Sequence, residues 1–163
     1  MTTLQQFTTP DEIRAVLGVA PEEIEDATLA MPLYLRQLQF ELSDIDSSLE
    51  STYLSVSAMA SRTTAQQKLY DVMQAFAPYF IAKILLTSAP LFAPRRITDG
   101  RAEAERVVDP YMEVREGVDA GFLSLRARLR DALTALGTAA TAASRTMIFS
   151  VAAGLAVNPV TNQ

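Results

Sequence analysis

Residues Leu69, Val72, Met73, Phe76, Phe80, Ile81, Ile84 and Leu85 repeat apolar side chains at three- and four-residue steps. That period fits an α-helix of roughly four turns and cannot be the two-residue alternation of a strand. Thr63 or Thr64 starts this helix, and Ser88-Ala89-Pro90 followed by Ala93-Pro94-Arg95-Arg96 ends it. Between Phe76 and Leu86 the apolar density exceeds what one face needs, so this section is expected at the centre of the core or of a subunit interface. Pro78 is expected to kink it, because proline lacks the backbone donor and its ring clashes one turn back.

The rest of the chain is punctuated around this helix. Thr9 is a good N-cap, Pro10 suits the first helical position, Thr9 with Glu12 forms a capping box, and Gly18 closes the C-terminus. Ile13, Val16 and Leu17 give this helix of about two turns one apolar face. Asp26 can cap the next helix, which carries Pro32 near its start and runs through Leu33, Leu35, Leu38, Phe40, Leu42 and Ile45. The serine-rich stretch around Ser47 to Ser61 reads as a partly helical connection. Thr98 or Asp99 is expected to cap a further helical segment from Gly100 to Arg106, with Pro110 as a break or kink. A last long helix is expected through Met112, Val118, Phe122, Leu125, Leu129, Leu133 and Leu136 to Gly137. Gly117 and Gly121, four apart, either admit a close helical neighbour or mark a local bend.

The expected fold is therefore all-α: a small bundle of about four helices, one short and three long, over residues 1–137, with an extended C-terminal arm over 138–163. Thr146 to Val151 is β-prone, the tail carries one charge, Arg145, and a lone strand would leave its backbone unpaired. Two readings stand: Met147, Ile148, Phe149, Val151, Leu155 and Val157 form an arm that adds to a partner's sheet or groove, or the tail packs along its own bundle.

The residue types present narrow the chemistry. The 163 residues include no cysteine and no histidine, which excludes disulfides, thiolate chemistry and histidine-based acid–base or metal sites. No phosphate-binding loop, dinucleotide fingerprint or calcium loop occurs, so no cofactor and no metal is expected. The paired carboxylates Glu22-Glu23 and Asp44-Asp46 and the two lysines, Lys68 and Lys83, are the remaining catalytic candidates, and at helix starts and polar faces such groups are dipole partners or solubilising charges. No enzymatic activity is expected.

The first 60 residues carry a net charge of −8 and the remainder +3, for a total of −5. Acidic and basic faces could thus meet between copies, or simply be solvated helix faces. Glu22, Glu23, Glu25, Asp44 and Asp46 are candidates for an acidic wall, while Arg95, Arg96, Arg126, Arg128 and Arg130 are candidates for DNA or rim contacts. The start of the chain has no signal-peptide pattern, and the longest apolar stretches, Ala77 to Phe92 and Met147 to Val157, fall short of the roughly 20 residues of a membrane span. No membrane partner is expected.

The pattern Thr9-Pro10-Asp11-Glu12-Ile13-Arg14-Ala15-Val16-Leu17-Gly18-Val19, followed by Glu22-Glu23-Ile24-Glu25-Asp26 and Leu29, resembles the opening of tailed-bacteriophage head-tail connector (adaptor) proteins. The similarity covers roughly the first 45 residues by pattern and the rest by helix order and length. It implies a non-enzymatic neck subunit of the virion, assembled in the host cytoplasm into a homo-oligomeric ring of about twelve copies. Such a ring sits between the portal protein and tail or neck proteins, and double-stranded DNA passes through it non-specifically. In this reading the acids between Glu22 and Asp46 line the channel, where phosphate repulsion lets DNA slide. The long apolar tail departs from adaptors that finish with a basic or helical end. A DNA-binding packaging subunit using Arg126, Arg128 and Arg130, and a cytosolic helical enzyme with carboxylate chemistry, are the competing expectations.

Overall fold

The computed structural model describes residues 2–88, 96–98, 103–105 and 112–155, with side chains described over 2–87 and 112–138. A 3-10 turn at Leu4–Gln6 precedes α1 (Pro10–Leu17), α2 (Asp26–Leu29), α3 (Pro32–Ile45), α4 (Leu49–Ser57) and α5 (Thr64–Ser88). Two short strands, β1 (Arg96–Thr98) and β2 (Glu103–Glu105), are followed by α6 (Met112–Leu155). The molecule is an all-α small bundle.

The signals at Thr9, Gly18, Pro32 and Thr63 are used, whereas Asp26 opens the separate short helix α2 behind Glu25 and does not cap α3, whose N-cap is Met31. Thr9 Oγ1 accepts from Glu12 N at 3.3 Å while Glu12 Oε2 accepts from Thr9 N at 2.8 Å, satisfying two orphan donors of α1. Gly18 ends α1 at φ 68, a left-handed conformation that glycine adopts without steric cost. Pro32 occupies the first turn of α3, and Thr63 with Gln66 caps α5 by the same reciprocal pair, at 2.8 and 3.3 Å. Pro78 lies inside α5, which remains one helix of 25 residues through it.

The core is built on α5. Leu69, Met73, Phe76, Ala77, Ile81 and Ala82 are fully buried, against Leu38 and Leu42 from α3, Leu49 and Tyr53 from α4, and Leu129 and Ala132 from α6. Phe76, Phe80 and Phe122 form a ring cluster with centroids 5.5 to 6.2 Å apart. A second stack runs from Phe7 through Tyr53 to Tyr70, at 5.2 and 5.9 Å, and ties the N-terminal turn to α4 and α5. By length and composition the window Thr64–Thr87 could cross a bilayer, but half of it is buried inside the protein, which is the position of a core helix.

α5 and α6 are antiparallel. Arg115 donates to Leu86 O at 3.2 Å, Asp119 pairs with Lys83 at 3.1 Å, and Phe122 packs on Phe80 and Phe76. Gly121 lies against the Tyr79 ring, where a Cβ would meet Cδ1 at 2.7 Å, whereas Gly117 faces open space. Close helix approach thus uses one of the two glycines.

Two further expectations are corrected. Residues 100–106 do not make a helix at Glu103–Glu105; these residues pair antiparallel with Arg96–Thr98 in the register Arg96↔Glu105, Ile97↔Ala104 and Thr98↔Glu103. Pairing with Arg96–Thr98 satisfies the backbone groups of this segment across a ladder, an alternative to the hydrogen bonds a helix makes within itself. The second correction concerns the tail. α6 continues through Gly137 to Leu155, 44 residues in all, so 138–155 is helical and not extended. Alanines at 139, 140, 142 and 143 are strong helix formers, and a helix satisfies its backbone hydrogen bonds within the segment, the need that a lone strand could not meet. Val157 and Pro110 lie outside the described residues.

Candidate functional site

The N-terminal acids are first of all structural. Arg14, 5% exposed, donates to Ile24 O at 2.8 and 3.0 Å, pairs with Asp11 at 3.0 Å, and bonds to Asp26, so one guanidinium fastens the turn after α1 to the start of α2. The hydrogen bond to Asp26 is the main cause that raises the Arg14 pKa above its ordinary value. Glu23 Oε2 accepts from Ala20 N at 2.7 Å, closing the turn, while Glu22 and Glu25 are exposed beside it. Asp46 accepts from Ser48 N at 2.7 Å and Ser48 Oγ at 2.6 Å, and the hydroxyl contact is the largest cause holding its carboxyl below the ordinary value. Glu22, Glu23 and Glu25 therefore precede α2 and α3, and Asp44 and Asp46 sit at the far end of α3, which is about 21 Å long. The five acids do not form one cluster.

The arginines are likewise divided. Arg126 Nε lies 2.8 Å from Glu41 Oε1, with the two side chains 29% and 17% exposed, so it ties α6 to α3 as an ion pair. Neither atom has an aligned hydrogen bond, and Gln37 Oε1, one turn before Glu41 on α3, is buried without a donor. Arg128 and Arg130 are exposed, but at two residues apart they point about 160° away from each other around the helix. Arg96 lies on β1, and Arg95 is outside the described residues. The structure thus brings no three of these arginines onto one face among the described side chains.

Of the two lysines, Lys83 is engaged with Asp119 and sits 4.4 Å over the Phe122 ring. Lys68 lines a shallow hollow at the start of α5 with Arg62, Gln67 and Asp71. Arg62 is committed there to packing: it donates to Val56 O and Ser57 O, each at 2.8 Å, and stacks 4.1 Å over Tyr70. Among the described residues no group of three carboxylates is placed to hold a metal ion.

α6 is longer than α5, the helix it packs on. In the register set by Arg115 to Phe122, the start of α5 falls opposite about residue 137 of α6. Residues 138–155 then run about 27 Å further as helix. That segment contains Met147, Ile148, Phe149, Val151 and Leu155, and Arg145 as its one charge. On α3 and α6, Leu33, Phe40 and Leu123 are exposed although apolar. Periodicity alone did not mark Leu33 and Phe40, because it counted them with the core, and it passed over Leu123; the signal available was that Leu33 and Phe40 lie off the arc of Tyr34, Leu38 and Leu42. No family model, curated protein or solved structure matches the chain.

Proposed function

We propose that this chain is a non-enzymatic structural adaptor of a tailed-phage neck, a subunit of a homo-oligomeric ring between the portal and the tail components, with the end of α6 as its docking arm. The observation that carries the reading is the mismatch of α6, 44 residues, with α5, 25 residues, which sends an apolar and nearly uncharged helix past the bundle. Such a helix lowers its free energy by laying its apolar positions into a partner's groove. The arm engages by helix packing, in place of the strand addition that its β-prone sequence suggests. A helical end also removes one departure from the adaptor pattern. The resemblance of Thr9 to Leu29 supports the family, and the absence of histidine and cysteine supports a role without catalysis.

In the ring, the exposed acids Glu22, Glu23 and Glu25 face the passing DNA and repel its phosphates. The packaging-subunit alternative draws less support, because Arg126 is engaged by Glu41 and Arg128 and Arg130 diverge.

The test is the mass in solution of the full chain, of the chain ending at residue 137, and of Ile148→Pro. The adaptor reading expects assemblies larger than a pair for the full chain, lost in both variants, since proline inside a helix costs about 3 kcal/mol. A full chain that assembles identically without its arm would sink it. Binding of double-stranded DNA at low salt is expected to be weak, and tight binding abolished by Arg128→Ala would favour the packaging alternative.

A further inference from the structure

The seam between α3 and α6 is an apolar surface with charge at its margins. Tyr34, Leu38 and Leu42 bury one face of α3, and Glu41 beside that face reaches Arg126 on α6 at 2.8 Å. Next around α3, at about 100° per residue, Leu33, Phe40 and Asp44 fall within an arc of about 40°. On α6, Leu123 lies one turn before Arg126, and Leu123 and Arg130 fall within about 20° of each other on the side that Arg126 presents to α3. Phe40 is 72% exposed, Leu123 60% and Leu33 55%, the three highest values among the large apolar side chains described. Phe40 adjoins Glu41 in α3 and Leu123 lies one turn from Arg126 in α6, while Leu33 is two turns before Glu41. Asp44 and Arg130 are exposed, and neither takes part in an ion pair with the other described side chains.

We propose that a second copy of this chain covers this seam, forming a two-fold pair in which α3 of each copy lies on α6 of the other. The face carries its own complement. In such a pair Phe40 of one copy meets Leu123 of its partner and Asp44 meets Arg130, and two-fold symmetry makes each contact twice. This local pattern agrees with the charge division of the whole chain, net −8 over the first 60 residues and +3 over the rest. An anionic membrane or a nucleic acid fits the seam poorly, since the exposed Asp44 and the carboxylate of Glu41 on α3 would repel phosphate. The pair uses none of residues 138–163 and does not rest on the adaptor reading.

The experiment is sedimentation equilibrium of the full chain and its variants, with circular dichroism and urea midpoints to verify folding. The chain mass is 17.8 kDa, and a species of twice that mass is expected, alone or as the unit of larger assemblies. Phe40→Asp and Leu123→Glu are each expected to weaken pairing by at least about tenfold, because each places a charge at the desolvated centre. Asp44→Arg or Arg130→Glu alone is expected to weaken it, and the two together to restore it. Wild-type chain that stays at monomer mass, or pairing unchanged in Phe40→Asp and Leu123→Glu, overturns the proposal. Assembly that survives these variants but is lost on ending the chain at residue 137 overturns the seam while sustaining the adaptor reading.

Discussion

At the residue scale, single side chains join segments that are distant in the chain. Tyr53 is fully buried, donates from its hydroxyl to Gln6 O at 2.9 Å and accepts from Gln74, so one phenol links the N-terminal turn, α4 and α5. Tyr53→Phe keeps the ring stack but strips Gln6 O and Gln74 of a partner, and is expected to lower stability by about 1 to 2 kcal/mol in urea unfolding. Burial is the main cause raising the Tyr53 pKa, so its contribution is complete below about pH 10 and is lost as pH rises through the folded value. Asp46 has the opposite sign. Ser48 depresses its pKa, so the stabilisation is present above about pH 4 and is lost as pH falls through the folded value. Replacing Ser48 with alanine is expected to flatten the acid limb of the stability curve, and an unchanged limb would dismiss that role.

At the element scale, α6 and α5 show how packing overrides local preference. Gly117 and Gly121 are equivalent as helix residues, yet only Gly121 has a neighbour, Tyr79, where a Cβ would sit. Gly117→Ala is therefore expected to stabilise by about 0.5 to 1 kcal/mol through reduced backbone entropy in the unfolded chain. Gly121→Ala gains the same term but must displace the Tyr79 ring, and is expected to be destabilising by about 1 kcal/mol net. Paired urea midpoints of opposite sign check this. Pro78 and Gly137 convey a related lesson, since each is a helix breaker by preference and each lies within a continuous helix. The packing of Ala77, Phe80 and Ile81 around Pro78 offsets the hydrogen bond that proline removes.

At the scale of the whole molecule, a core centred on α5 leaves Leu33 and Phe40 on α3 and Leu123 on α6 as the most exposed large apolar side chains among the described residues. Residues 138–155 run past the start of α5, so the chain ending at residue 137 is expected to keep its unfolding free energy in urea within about 0.5 kcal/mol of the full chain. A larger loss would mean that the segment packs on its own bundle, which is the alternative reading of the tail. This measurement separates folding from assembly when the same variant is used to test the arm.

Much of the helical plan was legible in the sequence because its signals are local. The capping box at Thr9, the helix start at Thr63, the stop at Gly18, Pro32 at the start of α3 and the apolar period of α5 each act over three or four residues. The sequence also settled which side chains exist to do chemistry, with no histidine or cysteine among them. Segments with mixed preferences were not legible: residues 103–105 carry helix formers but pair as a strand, and residues 146–151 are β-prone but lie in α6. In each the outcome depends on which backbone partner is within reach, a strand four residues away or the preceding turn of the same helix. Only the tertiary structure decided that Glu41 meets Arg126, that Arg128 and Arg130 part, and that Leu33, Phe40 and Leu123 remain outside the core. Those are contacts between helices far apart in the chain, and a hydrophobic period specifies that a face will be buried without specifying what buries it.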